Sequence, residues 1–376
     1  MALTTSFEKV LMKQAQMRRR PLTVNFELLP ICNLDCKMCY VRASAAQVER
    51  MGGLKSAEEW LALARQLRDA GTLFLLLTGG EVFLYPGFKE LYIKLYEMGF
   101  MITINTNATM IDEETVEWLR QYPPKCVSIS LYGANEETYE RLCGAKGMFE
   151  RVKHAIELLM QHRIRYEIKT MFTPLNIGDM RHCCAIGRNL GVFHETGFYS
   201  FPPARKVDRE NQVRFSPEEV VEYTFERNRL LSSEEGFKRN IIEHLKKYEA
   251  SKDRPGGDLY GFTCGACNTS CWITWQGKMT PCALLPEPYV LPFETGFKQA
   301  WEDLKGITDR ILMSPKCSHC DKREVCLVCP ASNYGETGSF DQASPFHCRM
   351  TEKQLSDMRR MVREWEENGQ MPEEKK

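Results

Sequence analysis

Three cysteines lie within eight residues near the start of the chain, in the segment Cys32-Asn-Leu-Asp-Cys36-Lys-Met-Cys39. Thiolates are soft ligands that favour iron–sulfur clusters or zinc. A tetrahedral zinc site takes a fourth ligand, and no further Cys or His follows closely in the sequence. A 4Fe-4S cluster held by three cysteines keeps one iron open to chelate an amine and a carboxylate. The spacing therefore predicts such a cluster, with zinc or structural cysteines as the alternative.

Polar residues follow at the points where later strands are expected to end. Gly79-Gly80-Glu81 comes directly after an apolar stretch, Asn107 after the next strand, and Ser130 in the one after that. Two glycines allow a backbone to approach a ligand closely, and a carboxylate can pair with an ammonium group. We expect these residues to bind a cofactor beside the cysteines. The alternative is that they cap strand ends and turns.

The elements that must position these residues alternate between strand and helix from about residue 22 to residue 200. Ser56 and Glu59 form a capping-box pattern at the start of one predicted helix. Roughly six βα units in a row predict a parallel sheet with helices outside, an α/β fold of the partial (β/α)6 TIM-like barrel type. In such folds the chemistry lies at the carboxyl ends of the strands. The predicted strands are Leu22–Leu29, Leu73–Thr78, Met101–Thr106, Val127–Leu131, Ile164–Phe172 and Val192–Tyr199.

A second group of cysteines lies in the last third of the chain. Trp272–Thr280 is predicted to be a β-hairpin with a glycine turn, which would return Cys282 to the cysteines that precede the hairpin. A zinc ribbon separates its cysteine pairs by about 15–20 residues, whereas five residues lie between Cys320 and Cys326. A Cys-Pro step after a CxxC pair is instead reminiscent of bacterial ferredoxins. The cysteines in this region are Cys264, Cys267, Cys271, Cys282, Cys317, Cys320, Cys326, Cys329 and Cys348.

The change in composition after residue 200 predicts several segments. Helices are expected at Pro217–Tyr248 and Thr351–Glu367, and few helices between Tyr260 and Cys348, where Cys, Gly and Pro are frequent. The predicted division is an N-terminal extension (1–21), the barrel (22–200), a linker and helical region (201–259), a cysteine-rich iron–sulfur domain (260–348), and a terminal helix and tail (349–376).

Composition excludes several classes of protein. The 50 acidic and 50 basic residues cancel, which argues against a nucleic-acid binder and against a polybasic membrane anchor. No secretory signal and no apolar run of membrane-spanning length is found, so we expect a cytoplasmic protein. Disulfides are disfavoured there, and sixteen cysteines favour metal or cluster ligation. Cys126, Cys143, Cys183 and Cys184 belong to neither group. Cys126 adjoins a strand and is expected to be a core residue, and Cys183 and Cys184 are expected to be buried free thiols.

The CxxxCxxC loop after the first strand, followed by Tyr40, resembles the radical S-adenosylmethionine (SAM) superfamily. The resemblance implies that the open iron binds the amino and carboxylate groups of SAM, and that one electron then yields a 5′-deoxyadenosyl radical. Gly79-Gly80-Glu81 resembles the motif that holds the methionine amino group, and Ser130 a serine near the ribose. Two departures are Val82, where the family has Pro, and Tyr132, where it has Asp.

The later cysteines resemble the SPASM extension of these enzymes, which implies one or two auxiliary 4Fe-4S clusters. One departure is the spacing of two residues, rather than three, between Cys326 and Cys329. By resemblance, one cluster takes Cys264, Cys282 and Cys329 with either Cys267 or Cys271. The other takes Cys317, Cys320, Cys326 and Cys348.

SPASM-bearing enzymes mostly modify peptides or proteins, so the resemblance implies maturation of a ribosomally made peptide by a thioether or C–C cross-link or by epimerisation. Sulfatase maturation ranks lower, because those enzymes carry a catalytic Asp where this chain has Ala283. A small-molecule radical dehydrogenase is a further alternative. An iron–sulfur electron carrier is the non-enzyme alternative, against which the open iron argues.

The resemblance also implies partners, beginning with an external electron donor such as flavodoxin or ferredoxin. About 20 residues precede the first strand, too few for a leader-binding domain. We therefore expect a separate leader-peptide-binding protein or a substrate held without one. The substrate, the bond formed and the catalytic residue that quenches the radical are not predicted.

Overall fold

The computed structural model describes residues 6–203, 213–253 and 261–372. The chain divides into two compact units. The first contains Met1–Gly197, Pro202–Val213 and Phe262–Arg310, and the second contains Phe198–Phe201, Arg214–Gly261 and Ile311–Lys376. Packing thus assigns the early part of the cysteine-rich region to the first unit. The domain boundaries inferred from the sequence stay predictions.

The first unit is built on an eight-stranded sheet in the order β6-β5-β4-β3-β2-β1-β7-β8. Strands β1 to β7 pair in parallel, and β8 is antiparallel to β7. All six predicted strands are present, and the α/β fold class is confirmed. The strands are β1 (Thr23–Glu27), β2 (Phe74–Thr78), β3 (Met101–Thr106), β4 (Cys126–Ser130), β5 (Tyr166–Met171), β6 (His194–Gly197), β7 (Ser270–Ile273) and β8 (Met279–Thr280).

Helices connect the parallel strands and cover the sheet. The helices are α1 (Ser6–Arg18), α2 (Ala45–Arg50), α3 (Ala57–Asp69), α4 (Phe88–Glu97), α5 (Glu113–Gln121), α6 (Glu136–Cys143), α7 (Met148–Gln161), α8 (Met180–Asn189), α9 (Pro217–Leu231), α10 (Glu234–Ser251), α11 (Pro292–Thr295), α12 (Phe297–Thr308), α13 (Pro315–Ser318), α14 (Pro330–Thr337) and α15 (Pro345–Glu367). In the part of the chain described, no helix has the length and apolar character needed to cross a membrane.

Helix α3 begins as its sequence predicts. The Ser56 hydroxyl accepts a hydrogen bond from the Glu59 amide at 3.2 Å, and the Glu59 carboxylate accepts one from the Ser56 amide at 2.8 Å. This capping box satisfies two backbone donors that the first turn of a helix cannot satisfy itself. The helix then buries Trp60 against Phe26 of β1, with ring centroids 4.6 Å apart. The side chain of Trp60 thereby fixes α3 over the strand that leads into the first cysteine loop.

The predicted hairpin is present, and it joins the sheet of the first unit. Trp272 of β7 pairs with Thr280 of β8, and Gly277 provides the turn with a φ of +81°, a left-handed conformation that favours glycine. Strand β7 also lies parallel to β1, with Cys271 opposite Val24. A segment that is distant in sequence therefore extends the sheet next to its first strand.

The helical content differs from expectation in two regions. The predicted helix 217–248 is two helices, α9 and α10, because Ser233 caps a new helix start. Between residues 260 and 348, where few helices were expected, α11 to α14 are present. Helix α12 has a signal that was missed, since Phe297, Ala300, Trp301 and Leu304 are buried with the spacing of one helix face.

The second unit consists of helices and the connecting cysteine-rich segments. Helix α15 packs against α9 and α10, and Tyr248, Val325 and Leu355 form a small buried cluster. The Arg349 guanidinium on α15 pairs with the Glu218 carboxylate on α9 at 2.9 Å. Apolar contacts from the helices therefore support the loop that carries the last cysteines.

Candidate functional site

The loop that follows β1 is held against the loop that follows β2 by backbone hydrogen bonds. The Gly80 amide donates to the Leu29 carbonyl at 2.7 Å, and the Glu81 amide donates to the Ile31 carbonyl at 2.9 Å. A Cβ atom at Gly80 would lie 2.3 Å from the Ile31 carbonyl oxygen, and one at Gly79 would lie 2.4 Å from that of Leu29. Any larger residue at either position would therefore clash with the backbone of the loop that follows β1. The segment that they touch leads directly into Cys32.

Glu81 is fully buried at the ends of β2 and β3. Its carboxylate accepts hydrogen bonds from the Thr106 hydroxyl at 2.7 Å, the Asn107 amide at 2.8 Å and the Phe83 amide at 3.2 Å. Burial raises the pKa of Glu81, and these hydrogen bonds oppose that rise. The result is an acidic group held rigidly beside the first cysteine, where a bound cation would favour its ionised form.

The side chain of Asn107 joins the cysteine loop to the end of β3. Its amide nitrogen donates to the Asn33 side-chain oxygen at 2.9 Å and lies 3.7 Å from the Cys32 sulfur. Its amide oxygen accepts from the Thr109 hydroxyl at 2.7 Å. Asn107 thus orients the cysteine loop through protein contacts. Its expected contact with a cofactor stays a prediction.

The three sulfurs of the CxxxCxxC loop lie within electrostatic range of each other. Burial raises the pKa of Cys32 to about 12, with smaller contributions from Glu81, Cys36 and Cys39, while the Leu34 amide opposes the shift. The Leu34 amide donates to the Cys32 sulfur at 3.4 Å, and the Arg42 amide donates to the Cys39 sulfur at 3.3 Å. Backbone donors of this kind favour the thiolate form that metal ligation requires.

The donors of the first cysteine loop are the thiols of Cys32, Cys36 and Cys39. Within the described ranges, no three Cys, His, Asp or Glu side chains converge as one metal ion requires. A zinc ion draws its ligands to one point, whereas each cysteine of a 4Fe-4S cluster binds a different iron atom. The three neighbouring thiols are soft donors of the kind that such a cluster binds.

A fourth thiol lies next to this loop, which the sequence did not indicate. The thiol of Cys36 is hydrogen-bonded to Cys143, and this contact and burial raise the pKa of Cys36. Cys143 is the last residue of α6 and is fully buried. No pattern in the sequence relates these two cysteines. Helix α6 itself was not predicted.

Ser130 ends β4 on the same side as the loop. Its side chain is hydrogen-bonded to the Tyr132 hydroxyl. Burial raises the pKa of Tyr132, and the charges of Cys36 and Cys39 add to this effect. Tyr132 is therefore close to the first cysteine group, in the position where the resembling family has Asp. The contact of Ser130 with a ribose stays a prediction.

The later cysteines of the first unit flank strand β7. Cys264 is exposed, whereas Cys267 and Cys271 are buried. Burial raises the pKa of Cys267 to about 12, and its carbonyl oxygen accepts a hydrogen bond from the Arg19 guanidinium at 3.2 Å. Cys282 follows β8, as the hairpin predicted. The choice between Cys267 and Cys271 as a ligand stays open.

Four cysteines of the second unit lie in mutual electrostatic range. Burial raises the pKa of Cys317, and the charges of Cys348, Cys326 and Cys320 add to the rise. Burial also raises the pKa of Cys326, and the charges of Cys348 and Cys320 add to that rise. The structure therefore brings together the four residues expected to hold one auxiliary cluster. Cys329 caps α14 in the same unit, where its sulfur accepts a hydrogen bond from the Ser332 amide at 3.4 Å.

Comparisons with known proteins agree with this arrangement. Residues 26–183 match the family model described as the Radical SAM superfamily. The chain is 25% identical over 343 residues to the AdoMet-dependent heme synthase of Methanosarcina barkeri, covering 88% of this chain and 97% of that protein. It is 27% identical over 280 residues to the antilisterial bacteriocin subtilosin biosynthesis protein AlbA of Bacillus subtilis, covering 72% of this chain and 57% of that protein.

Two solved structures share the fold. Streptococcus suis SuiB bound to its precursor peptide SuiA aligns with a TM-score of 0.65 and 17% identity, covering 92% of this chain and 82% of that chain. The protein anSMEcpe with bound AdoMet aligns with a TM-score of 0.62 and 15% identity, covering 91% of this chain and 100% of that chain. At these identities the likeness concerns the fold alone.

A parallel α/β sheet that carries three neighbouring thiols and a buried carboxylate at its strand ends defines an iron–sulfur enzyme. Residues 26–183 carry a radical SAM domain, and the chain resembles radical SAM enzymes of the SPASM type. Its cofactors are a 4Fe-4S cluster that binds SAM, auxiliary iron–sulfur clusters, and S-adenosylmethionine itself.

Proposed function

We propose that this enzyme cleaves SAM reductively at a cluster held by Cys32, Cys36 and Cys39, and that it modifies a peptide substrate during maturation of a ribosomally made peptide. The observation that carries the proposal is the locked assembly of the cysteine loop, Gly79-Gly80 and Glu81. It places three thiols beside a buried carboxylate at one end of a parallel sheet. The bound cluster and SAM supply the radical chemistry.

The protein residues have separate roles in this proposal. The Glu81 carboxylate, fixed by Thr106 and Asn107, would pair with the ammonium group of SAM, since opposite charges attract strongly when water is excluded. Asn107 holds Cys32 through the loop. The Ser130 hydroxyl, with Tyr132 beside it, would face the ribose. These contacts orient SAM and keep water from a reactive radical.

Relatives support a peptide substrate. AlbA takes part in bacteriocin biosynthesis, another relative is the sporulation killing factor maturation protein SkfB, and a further one is a PqqA peptide cyclase.

A net-oxidised cross-link requires the substrate radical to lose one more electron. An auxiliary cluster held by Cys317, Cys320, Cys326 and Cys348 would accept it. The first electron would come from a donor such as flavodoxin or ferredoxin. The peptide would be presented by a separate leader-binding protein or held by the enzyme without one.

The first test is SAM cleavage by protein reconstituted anaerobically and reduced with dithionite. We expect 5′-deoxyadenosine and methionine from the native protein and from a Cys126→Ala control, whose buried thiol donates to the Val127 carbonyl at 3.7 Å. Cys36→Ala is expected to lose this activity. Native activity in Cys36→Ala would show that the cluster site is wrongly assigned.

The second test separates SAM cleavage from peptide modification. A short peptide encoded beside the gene is incubated with the enzyme, and the product is examined by mass spectrometry. Cys320→Ala is expected to form some deoxyadenosine and no modified peptide. If a folded Cys320→Ala protein forms the peptide product at the native rate, the auxiliary cluster is not the electron acceptor.

A second candidate follows from the extent of one match. The heme synthase of Methanosarcina barkeri is matched over 97% of its length, whereas AlbA is matched over 57%. This observation, with a second relative named Fe-coproporphyrin III synthase, favours chemistry on an iron–porphyrin instead of a peptide. Titration of the enzyme with iron–coproporphyrin, followed by its absorption band and by product analysis, distinguishes the candidates. Conversion of the porphyrin with no peptide product would replace the peptide proposal.

A further inference from the structure

Helix α1 exposes three large apolar side chains to solvent. Phe7, Val10 and Met17 are 69%, 53% and 79% exposed. Val10 and Met17 are seven residues apart, which is about two helical turns, so they project from the same side of the helix. Single exposed apolar residues are common on protein surfaces. Three on one helix of 13 residues form an apolar patch, which is typical of a surface that binds a partner.

The opposite side of α1 holds the helix against the rest of the first unit. Ala15 lies in a buried cluster with Leu22 and with Phe74 of β2. Glu8 is buried, and its carboxylate pairs with the Lys125 ammonium. Because Glu8 is the one acidic residue of α1, the exposed side of the helix carries no negative charge.

The charges that α1 and the residues after it expose are all positive. Exposed basic side chains are found at Lys9, Lys13, Arg18 and Arg20. Within the described ranges, no carboxylate forms an ion pair with any of these four side chains. Lys13 follows Val10 by three residues and precedes Met17 by four, so it lies on the same side of the helix as both. The exposed side of α1 is therefore basic and apolar together, which complements an acidic protein surface.

The carboxyl end of α1 lies against a segment that carries two cysteines of the second group. The Arg19 guanidinium donates to the Cys267 carbonyl at 3.2 Å and pairs with the Asp309 carboxylate at 2.8 Å. The Trp301 indole nitrogen donates to the Arg19 carbonyl at 3.1 Å. Cys264, a predicted cluster ligand in the same short segment, is exposed. The basic and apolar surface of α1 therefore adjoins a segment where a redox centre is expected near solvent.

We propose that the exposed side of α1, together with Arg18 and Arg20, is the docking surface for an acidic electron-carrier protein of the flavodoxin or ferredoxin type. The inference rests on the proposed function, in which the enzyme receives an electron from such a carrier. Opposite charges guide the carrier to the helix, and the three apolar side chains become buried at the centre of the contact. Electron transfer falls steeply with distance, and a carrier docked here lies beside the segment that carries Cys264.

Two other occupants fit this surface less well. A helix that lies on a membrane separates its apolar face from its charged face, whereas Lys13 lies on the same side of α1 as Val10 and Met17. A second copy of the chain would bring the same positive charges to the contact and would be repelled. An acidic protein satisfies both the lysines and the apolar side chains.

The test titrates the reconstituted full-length protein with one flavodoxin and with one ferredoxin, each of net negative charge, and measures binding by calorimetry at low and high salt. We expect at least one carrier to bind, and to bind more weakly at high salt because exposed charges are screened. The variant Lys9→Glu/Lys13→Glu is expected to bind about 10-fold more weakly, since each reversal replaces an attraction by a repulsion. Met17→Ser is expected to weaken binding at both salt concentrations, because it removes apolar contact.

A matched control makes the same change in net charge elsewhere. Arg151→Glu/Lys153→Glu alters exposed residues of α7 and is expected to bind the carrier as the native protein does. Native affinity in the α1 double variant, an equal loss in the α7 control, or no binding of either carrier would overturn the docking surface. Binding of the native protein to vesicles of anionic phospholipid, with no binding of the carriers, would assign α1 to a membrane surface instead.

SAM cleavage driven by dithionite separates this inference from the proposed function. Dithionite needs no docked carrier, so the α1 variants are expected to form 5′-deoxyadenosine at the native rate with dithionite and more slowly with the reduced carrier. Absence of dithionite-driven cleavage in the native protein would contradict the proposed function, whereas the carrier titrations alone decide the docking surface.

Discussion

The contact between Gly80 and the first cysteine loop gives a sharp prediction for Gly80→Ala. The new methyl group would lie 2.3 Å from the Ile31 carbonyl oxygen and 2.7 Å from that of Pro30, whereas ordinary contact begins at 3.4 Å. Both obstacles are backbone atoms, which cannot rotate away as a flexible side chain can. The segment before Cys32 must therefore move by about 1 Å, or the folded protein must retain the steric strain. Both outcomes are those of an overpacked core.

The expected size of the effect follows from this displacement. Overpacking typically costs about 1–3 kcal/mol of folding stability. A misplacement of about 1 Å in a catalytic arrangement can lower the rate about 100-fold. Because the moved segment carries Cys32, we expect Gly80→Ala to bind less iron and to cleave SAM about 100 times more slowly.

The assay measures iron content, thermal unfolding and deoxyadenosine formation in the same preparations. Gly306→Ala is the matched control, since it lies within α12 and a Cβ there meets no atom within 4 Å. The control is expected to keep native activity and to gain up to about 1 kcal/mol, because alanine favours a helix. Native melting temperature and native SAM cleavage in Gly80→Ala would refute the argument.

Three further predictions concern the clusters, the fold and the reaction. Anaerobic reconstitution should give more iron than one 4Fe-4S cluster contains, and Cys326→Ala should lower the iron content; iron equal to a single cluster in the native protein would contradict this. Ser56→Ala should cost about 1 kcal/mol in chemical denaturation, since it removes a helix cap. The hydrogen bond from the Ser56 amide lowers the pKa of Glu59 in the folded protein. The Glu59 carboxylate therefore stabilises the folded state fully at pH values above its unfolded-state pKa, and this stabilisation is lost as the pH falls through the lowered folded-state pKa. No formylglycine should form on a sulfatase peptide, because Ala283 offers no carboxylate; detection of the aldehyde by mass spectrometry would overturn this.

Much of the fold could be predicted because its signals are local. The strands β1 to β6 and helix α3 follow from short apolar runs, helical periodicity and the cap at Ser56. The cysteine spacing is local as well, and it indicated both the radical SAM family and its cofactors. The hairpin of β7 and β8 could be predicted from its alternation and Gly277.

The contacts between distant segments could not be predicted in this way. Strand β7 pairs with the side of β1 that β2 does not cover. No local sequence pattern indicates that these two distant strands become neighbours. The same holds for Gly80 against Ile31 and for Cys36 against Cys143, each of which joins segments that only the folded chain brings together. The sequence by itself determined which residues can hold a cluster. Tertiary packing decided their neighbours, because close backbone contact and burial exist only once the sheet has formed.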